Sequence, residues 1–432
     1  MMYGLVDCNN FFVSCERLFN PSLEGKAVVV LSGNDGCVIA RSNEAKRLGI
    51  PMGCPAFQIK RHTNPAGVIQ LSARHVLYRD ISQRVMTYLA SRVEHIEVYS
   101  IDEAFFRLPY DEVERNHTFL AGLVAEIRRC IGIPVSVGFA PSRTLAKIAS
   151  HIAKKHPAIK DGVYWLVRPE AIDIILRRTP IEDVWGLGRR LCGRLRDEGV
   201  TTAAQFAALP GKRVRAEFSI STERTRRELL GEDCVASNPI ASAHKSIMNS
   251  RTFGSVITDK VAVRDAVACF AERVAKQLRD EHCVAASVTT YLRGDRFRED
   301  LPFYSNSCRL TLPTPTNDTL SIVKYAVQAF EHIFRDGFSY RKAGVLLTDI
   351  TPEHGVQLNV FDTTDIGRRR KLMERVDAIN RSIGRKAVGL VPSLHPGEWS
   401  PKQSHFAEGS RTLRFFSGMS LPRGGAHADH AD

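Results

Sequence analysis

Residues 98–106 read Val-Tyr-Ser-Ile-Asp-Glu-Ala-Phe-Phe, two adjacent carboxylates inside a run that is otherwise built for burial. Burying an ionised carboxylate costs several kcal/mol unless opposite charge meets it. No Lys or Arg lies between Arg92 and Arg107, so local ion pairing does not account for Asp102 and Glu103. Adjacent strand residues point to opposite faces, so the two acids can serve one site only at a turn. Two readings follow. The segment is either a hairpin whose acidic tip points into water, or part of a site for a hard divalent cation such as Mg²⁺, which prefers carboxylate oxygens.

The rest of the chain decides between them. Its 432 residues suggest several domains rather than one core. A net charge of +13 favours a polyanionic partner, nucleic acid or an anionic membrane surface. The basic residues are spread through globular-looking segments rather than collected in a tail, which favours nucleic acid. Ten cysteines occur with no Cys-x-x-Cys pair, so neither a zinc ribbon nor a thioredoxin-like site is suggested. Cys37, Cys269 and Cys308 sit in apolar runs, as small core residues of a reduced cytosolic protein do. No apolar run approaches membrane-spanning length and the start lacks a secretory signal, so no membrane association is expected.

Taken in order, Tyr3 to Val6 is a buried strand ending at Asp7, and Phe11, Cys15, Leu18 and Phe19 are spaced for one helix face. Lys26–Leu31 and Cys37–Ala40 read as strands joined by the turn Gly33-Asn34-Asp35-Gly36. A short helix at Ser42–Leu48, a strand at Gly67–Leu71 and a helix through Leu77, Ile81, Val85 and Leu89 lead to the acidic hairpin. Beyond it come a helix at Phe119–Ile131, a strand at Pro134–Phe139 and a helix at Ser142–Lys155. That last helix has an apolar stripe of Leu145, Ile148 and Ile152 and a basic side of Arg143, Lys147 and Lys154, suited to phosphate. Gly186-Leu187-Gly188 between short helices lets backbone N–H groups approach a phosphate. Residues 232–244 are small and polar and read as a linker. After it, strand-helix-strand occurs twice, the split βαβ arrangement. Gln357-Leu358-Asn359-Val360-Phe361 places three apolar side chains in a loop, either packed back on its own domain or free to dock in a partner's groove. Arg369 to Ile383 is an amphipathic helix, and the Gly-Gly-Ala-His-Ala-Asp-His-Ala-Asp end looks frayed.

Asp7 and Asp102-Glu103 each lie at or beside the end of a strand, so neighbouring strands of one sheet could bring three carboxylates to a single edge. Three carboxylates can hold two Mg²⁺ ions, and such a pair stabilises both the attacking and the leaving oxygen of an in-line phosphoryl displacement. Arg41, Lys46 and Lys154 are candidates to neutralise a triphosphate.

At these residues the chain resembles the Y-family translesion DNA polymerases, and most of all their UmuC type, the catalytic subunit of bacterial DNA polymerase V. The resemblance runs from about Tyr3 to about Phe361 and more loosely to the C-terminus. It is carried by Val6-Asp7-Cys8-Asn9-Asn10-Phe11-Phe12, Asn34 to Arg41, Tyr99 to Phe105, Thr144 to Lys147, Asp183 to Arg190, Ser250 to Gly254 and the 357–361 pentapeptide. It implies an α/β multidomain, right-hand polymerase: palm at 1–24 and 79–168, fingers at 25–78, and a thumb with a helix-hairpin-helix at 169–232. A linker at 233–244, a split-βαβ little finger at 245–352 and a clamp- and partner-binding region at 353–432 complete it. Asp7, Asp102 and Glu103 match the metal-binding carboxylates, with the Cys8 backbone carbonyl as a further ligand for two Mg²⁺ ions, and Glu103 matches the active-site acid. Phe12 falls at the steric gate that blocks a ribose 2′-hydroxyl, where near relatives carry Tyr. Phe11, Phe12, Arg41, Lys46 and Lys154 match nucleotide contacts; Asn43 departs from the wider family, which has a phosphate-binding Tyr there. Lys147, Gly186, Gly188, Lys245 and Arg251 match DNA contacts, made to the backbone without reading sequence. Gln357, Leu358, Val360 and Phe361 match the peptide that holds the sliding clamp. The implied activity is error-prone translesion synthesis in the SOS response in the bacterial cytoplasm. Its partners are primer–template DNA, deoxynucleoside triphosphates, the clamp, a processed UmuD-type dimer docking after Gly384, and the RecA filament.

Two other readings remain open. One is a non-catalytic nucleic-acid-binding protein with a palm-like fold, against which the intact acidic triad argues. The other is a different two-metal phosphoryl-transfer enzyme, which has no use for fingers, thumb hairpin or clamp peptide.

Overall fold

The computed structural model describes residues 2–62, 67–109, 113–156, 158–234, 244–298, 300–354, 365–383, 387–389, 399 and 404–405. The Gln357–Phe361 pentapeptide lies outside the described residues. The chain divides into two compact units, Met1–Leu31 with Cys37–Pro239, and Ile240–His405 with the short Ser32–Gly36 turn. The break falls inside the small, polar stretch read as a linker.

The first unit is built on β1 (Met2–Cys8), whose alternating side chains are buried on both faces. It continues through α1 (Phe11–Phe19), β2 (Ala27–Leu31), β3 (Val38–Arg41), α2 (Asn43–Arg47), α3 (Ile59–His62), β4 (Val68–Ser72) and α4 (His75–Ala90). Then come β5 (Glu97–Val98), β6 (Glu103–Leu108), α5 (Val113–Ile131), β7 (Val135–Ala140), α6 (Arg143–Lys155) and β8 (Val163–Trp165). The main sheet has the order β5-β6-β1-β7-β8, with β1 antiparallel to both neighbours. Val6, Ala104, Phe106 and Val137 face α1, α4 and α5 in one core, while Tyr3, Leu5 and Phe105 meet Leu145, Ala146 and Ile148 of α6 in another. The α6 face is close-packed. A Cβ at Gly138 of β7 would stand 2.1 Å from the Ser150 nitrogen and 2.2 Å from the Ala146 oxygen, so only glycine lets α6 lie this near the sheet.

A second sheet, β3-β2-β4, joins β2 and β3 antiparallel and β2 and β4 parallel around Val29, Leu31, Val38, Ile50 and Ile59. Five helices close the unit: α7 (Pro169–Arg178), α8 (Arg189–Asp197), α9 (Ala203–Ala208), α10 (Gly211–Glu217) and α11 (Ile220–Leu229). Leu176, Ile181, Val184, Leu187, Leu195 and Phe206 join the core that α6 shares with the main sheet.

The second unit runs β9 (Ser246–Ile257), α12 (Lys260–Asp280), β10 (Cys283–Arg293), β11 (Ser305–Thr316), α13 (Thr319–Ile333), β12 (Tyr340–Pro352) and α14 (Ile366–Ile383). Its four strands form an all-antiparallel sheet ordered β11-β10-β12-β9, and α12 and α13 cover one face through Val267, Phe270, Val274, Ile322 and Phe330. This is the βαββαβ order expected from the sequence. The strands outrun the apolar runs that announced them, because backbone pairing carries on through polar ends such as Ser305 and Thr316.

Two expectations need correction. Arg143 is not on a basic side open to phosphate: it is 1% exposed, with Nη2 donating to Glu97 at 2.8 Å, Nη1 donating to Asp233 at 3.3 Å, and the guanidinium 4.5 Å from the Tyr3 ring. Its acidic partners lie 46 and 90 residues away, so helix periodicity could not show them. Cys37 and Cys308 are half-buried at sheet edges rather than in the core, unlike Cys269. No helix among the described residues is long and apolar enough to cross a membrane.

Candidate active site

The register of β1 against β6 sets Asp7 directly across from Glu103, the first residue of β6. Cross-strand partners project from the same face, so both carboxylates rise toward α6. Asp102 sits in the bend just before β6, and its carbonyl accepts the Cys8 N–H at 2.9 Å. Ser100 ties that bend: its hydroxyl accepts from the backbone N–H of Asp102 (3.2 Å) and Glu103 (3.1 Å) and donates to Asp102 Oδ1 at 2.6 Å. The two adjacent acids thus lie at a turn, the condition for sharing one site.

Above them, Lys147 and Lys154 stand seven residues apart on α6, close to two helical turns, and so on one face. Lys147 Nζ donates to both oxygens of Glu103 at 3.1 and 3.0 Å, and Lys154 Nζ donates to Asp7 Oδ1 at 2.6 Å. The lysines do not neutralise the acids fully. Burial pushes the Asp7 and Glu103 carboxyls above their ordinary pKa values, outweighing the lowering by Lys154 and Lys147 respectively. A divalent cation would supply the missing positive charge, and every donor offered to it is a hard oxygen, as Mg²⁺ requires. Among the described residues no three Asp, Glu, His or Cys side chains form a ready-made metal cage; two of the three acids here are turned to lysines. Cys8 is buried beside them, its thiol pushed far up by burial and by the Asp102 and Asp7 charges.

Positive charge accumulates next to the acids. Lys46 of α2 has its pKa lowered first by burial, then by repulsion from Lys154, Arg41 and Lys155, with Asp7 opposing. Lys46 Nζ donates to Asn10 Oδ1 and to Asn43 Oδ1 at 3.3 Å, and Arg41 donates to the Ile50 carbonyl. A cluster in which three other cations repel Lys46 is suited to an anion. Asn43 Oδ1 accepts from Lys46 and, at 3.1 Å, from the Asn10 side-chain amide.

Phe12 of α1 is half-buried and stacks on Tyr78 of α4 at 4.3 Å with 14° between ring planes. Tyr78 in turn donates to the buried Glu16 carboxylate at 2.6 Å, which also takes the Arg74 Nε–H at 3.0 Å. Phe11 is 3% exposed, a core residue whose polar reach is its backbone alone.

Gly186 has φ 88°, a conformation that favours glycine, and Gly188 forms the N-cap of α8 with open space where a Cβ would stand. In the second unit Lys245 and Arg251 are exposed, on and just before β9. Sequence reasoning passed over Tyr78, Tyr99, His151, Lys155 and Trp185. His151 and Trp185 line a cleft of about 510 Å³ with Asp7, Glu103 and Lys147, and the His151 pKa is lowered by burial and then by Lys155. Only Trp185 carried a signal, a large aromatic directly before the Gly-x-Gly turn.

The chain is similar to known proteins. Residues 6–151 match the impB/mucB/samB family, and residues 244–360 match the C-terminal domain of the same family. Protein UmuC of Salmonella typhimurium is 40% identical over 93% of this chain and 96% of its own length. DNA polymerase IV of Caulobacter vibrioides is 28% identical over 89% of this chain and 92% of its own. A solved Y-family DNA polymerase chimera, Dbh-Dpo4(243-245)-Dbh, superimposes with TM-score 0.61 and 23% identity, covering 82% of this chain and all of that one. The chain belongs to the impB/mucB/samB family and has the mixed α/β fold of the Y-family DNA polymerases.

Proposed function

We propose that the chain is an error-prone, DNA-directed DNA polymerase that performs translesion synthesis in the SOS response. One observation carries this reading: Asp7 and Glu103 are register-paired beneath two lysines and adjacent to the Arg41–Lys46–Lys154–Lys155 cluster. Acids that need a cation beside cations that need a polyanion suit a metal-bound nucleoside triphosphate. Asp7, Asp102, Glu103 and the Cys8 carbonyl would hold two Mg²⁺ ions, which when bound activate the primer 3′-hydroxyl and stabilise the leaving pyrophosphate.

The chain's own groups do the rest. Arg41, Lys46 and Lys154 receive the triphosphate and neutralise the charge that builds on pyrophosphate as the α-phosphate is attacked. Phe12, braced on Tyr78, stands where a ribose 2′-hydroxyl would collide. The Gly186–Gly188 turn and the first turn of α8 offer N–H groups to the DNA backbone, and Lys245 and Arg251 extend the grip.

In this reading the main sheet (1–24 and 79–168) is the palm, 25–78 the fingers, 169–232 the thumb, 233–244 the linker and 245–352 the little finger. Region 353–432 engages the sliding clamp through Gln357–Phe361 and a UmuD-type dimer beyond Gly384, in the bacterial cytoplasm, and the RecA filament is a further partner. Primer extension tests the proposal. The full chain, given clamp, the UmuD-type dimer and RecA filament, should extend a primer past a template abasic site only with Mg²⁺ and deoxynucleotides. DNA binding without extension would leave a non-catalytic nucleic-acid-binding protein.

A further inference from the structure

Lys147, matched by resemblance to a DNA contact, is held between two kinds of neighbour. On one side are both oxygens of Glu103, at 3.1 and 3.0 Å. On the other is a pair of aromatic rings: the ammonium lies 4.6 Å from the centroid of Tyr99 and 5.5 Å from that of Trp185. Those rings are fixed to each other, edge to face at 5.4 Å and 90°, with the Trp185 indole N–H donating to the Tyr99 hydroxyl at 3.0 Å. Both rest on Phe105, whose ring centroid is 5.7 Å from Tyr99 and 6.1 Å from Trp185. Tyr99 belongs to the catalytic hairpin, three residues before Asp102. Trp185 belongs to the loop that enters α8 through the positive-φ Gly186. One ammonium therefore touches a candidate metal ligand and the root of the helix-hairpin-helix.

We propose that Lys147 is a positioning residue that couples metal loading at Glu103 to the conformation of the Trp185–Gly188 turn. The inference rests on the reading of Glu103 as a metal ligand. A divalent cation at Glu103 would repel the ammonium and press it further onto the Tyr99–Trp185 faces it already touches, since aromatic faces attract cations. The displaced charge then bears on the Trp185 ring and on the indole-to-hydroxyl bond. Coupling is reciprocal: a turn held by DNA in the arrangement that draws Lys147 onto the rings leaves Glu103 freer for metal. DNA grip and metal occupancy thereby favour each other, so the site loads fully when primer–template is in hand. Phe105 supplies the rigid floor that keeps the seat from collapsing.

The experiment is ¹⁹F NMR of the full chain labelled with 5-fluorotryptophan, titrated with Mg²⁺ and read beside calorimetric Mg²⁺ binding. The chain has three tryptophans, and loss of a resonance in Trp185→Phe assigns the one that matters. The Trp185 resonance should shift along the calorimetric binding curve, whereas Lys147→Met, which removes the competing ammonium from Glu103, should bind Mg²⁺ more tightly and abolish the shift. Lys147→Arg, which retains the cation, should restore part of it. Tyr99→Phe, which cuts the bond to the indole and keeps the ring, should weaken Mg²⁺ binding about two- to five-fold. Mg²⁺ binding with an unmoved Trp185 resonance, or a full shift in Lys147→Met, overturns the coupling alone. Absence of any Mg²⁺ binding that Asp7→Asn removes overturns the metal reading and the coupling with it.

Discussion

Lys154 Nζ stands 2.6 Å from Asp7 Oδ1, yet the Asp7 carboxyl is still pushed above its ordinary pKa of 3.8 because burial outweighs the ammonium. A carboxyl whose pKa is raised on folding binds its proton more tightly in the native state. Its contribution to stability is therefore complete below about pH 3.8 and is lost as pH rises through the native value. The metal-free fold loses that contribution as pH rises toward neutral. Asp7→Asn, neutral and of the same shape, should raise the melting temperature of the Mg²⁺-free protein at pH 7 by about 1–3 °C. It should also erase the rise that Mg²⁺ gives the native chain. Thermal melts with Mg²⁺ and with a chelator check both signs.

Gly138 decides whether the lysines reach the acids at all. A methyl there meets backbone atoms of Ala146 and Ser150 at 2.1–2.2 Å, and backbone cannot step aside as a side-chain tip can. Gly138→Ala should cost about 3 kcal/mol or more in a denaturant melt. Because α6 carries Lys147 and Lys154, whatever folds should also lose primer extension.

Phe12 and Tyr78, stacked at 4.3 Å, form the wall proposed to face the sugar. Phe12→Ala removes the bulk and should raise ribonucleotide incorporation at least about ten-fold, one or two kcal/mol of steric discrimination. Competition between a ribonucleotide and its deoxynucleotide measures it. Unchanged selection would place the gate elsewhere.

Lys46 is crowded by three other cations, with Asp7 alone opposing among the causes of its lowered pKa. If the cluster receives the triphosphate as proposed, Lys46→Ala should raise KM for the incoming nucleotide about ten-fold and lower DNA affinity little. A fall in DNA affinity with unchanged KM would contradict that assignment. In Gln357–Phe361, Leu358→Ala with Phe361→Ala should weaken clamp binding and spare synthesis without the clamp, as surface plasmon resonance and primer extension can separate.

Much of this was legible in the sequence where the physics is local. The burial of β1, the Gly33–Gly36 turn, the amphipathic face of α6 and the repeated strand-helix-strand order all write themselves as periodicity. Asp102-Glu103 announced itself by the absence of a nearby counter-charge. What periodicity could not show was which distant group answered: Lys147 for Glu103, Lys154 for Asp7, and Glu97 and Asp233 for the buried Arg143. Register was equally hidden. That Asp7 faces Glu103 rather than its neighbour follows from pairing across 96 residues, which no stretch of either strand contains. Trp185 read as part of a turn motif, because its partners Tyr99 and Lys147 come from two other elements.

The central claim is that Asp7, Asp102 and Glu103 act as one catalytic site for nucleotidyl transfer. Single-turnover primer extension by Glu103→Gln, with DNA affinity measured on the same preparation, tests it most directly. The rate should fall about a thousand-fold or more, with DNA binding within about two-fold of the native chain. Extension within about ten-fold of the native rate would contradict it.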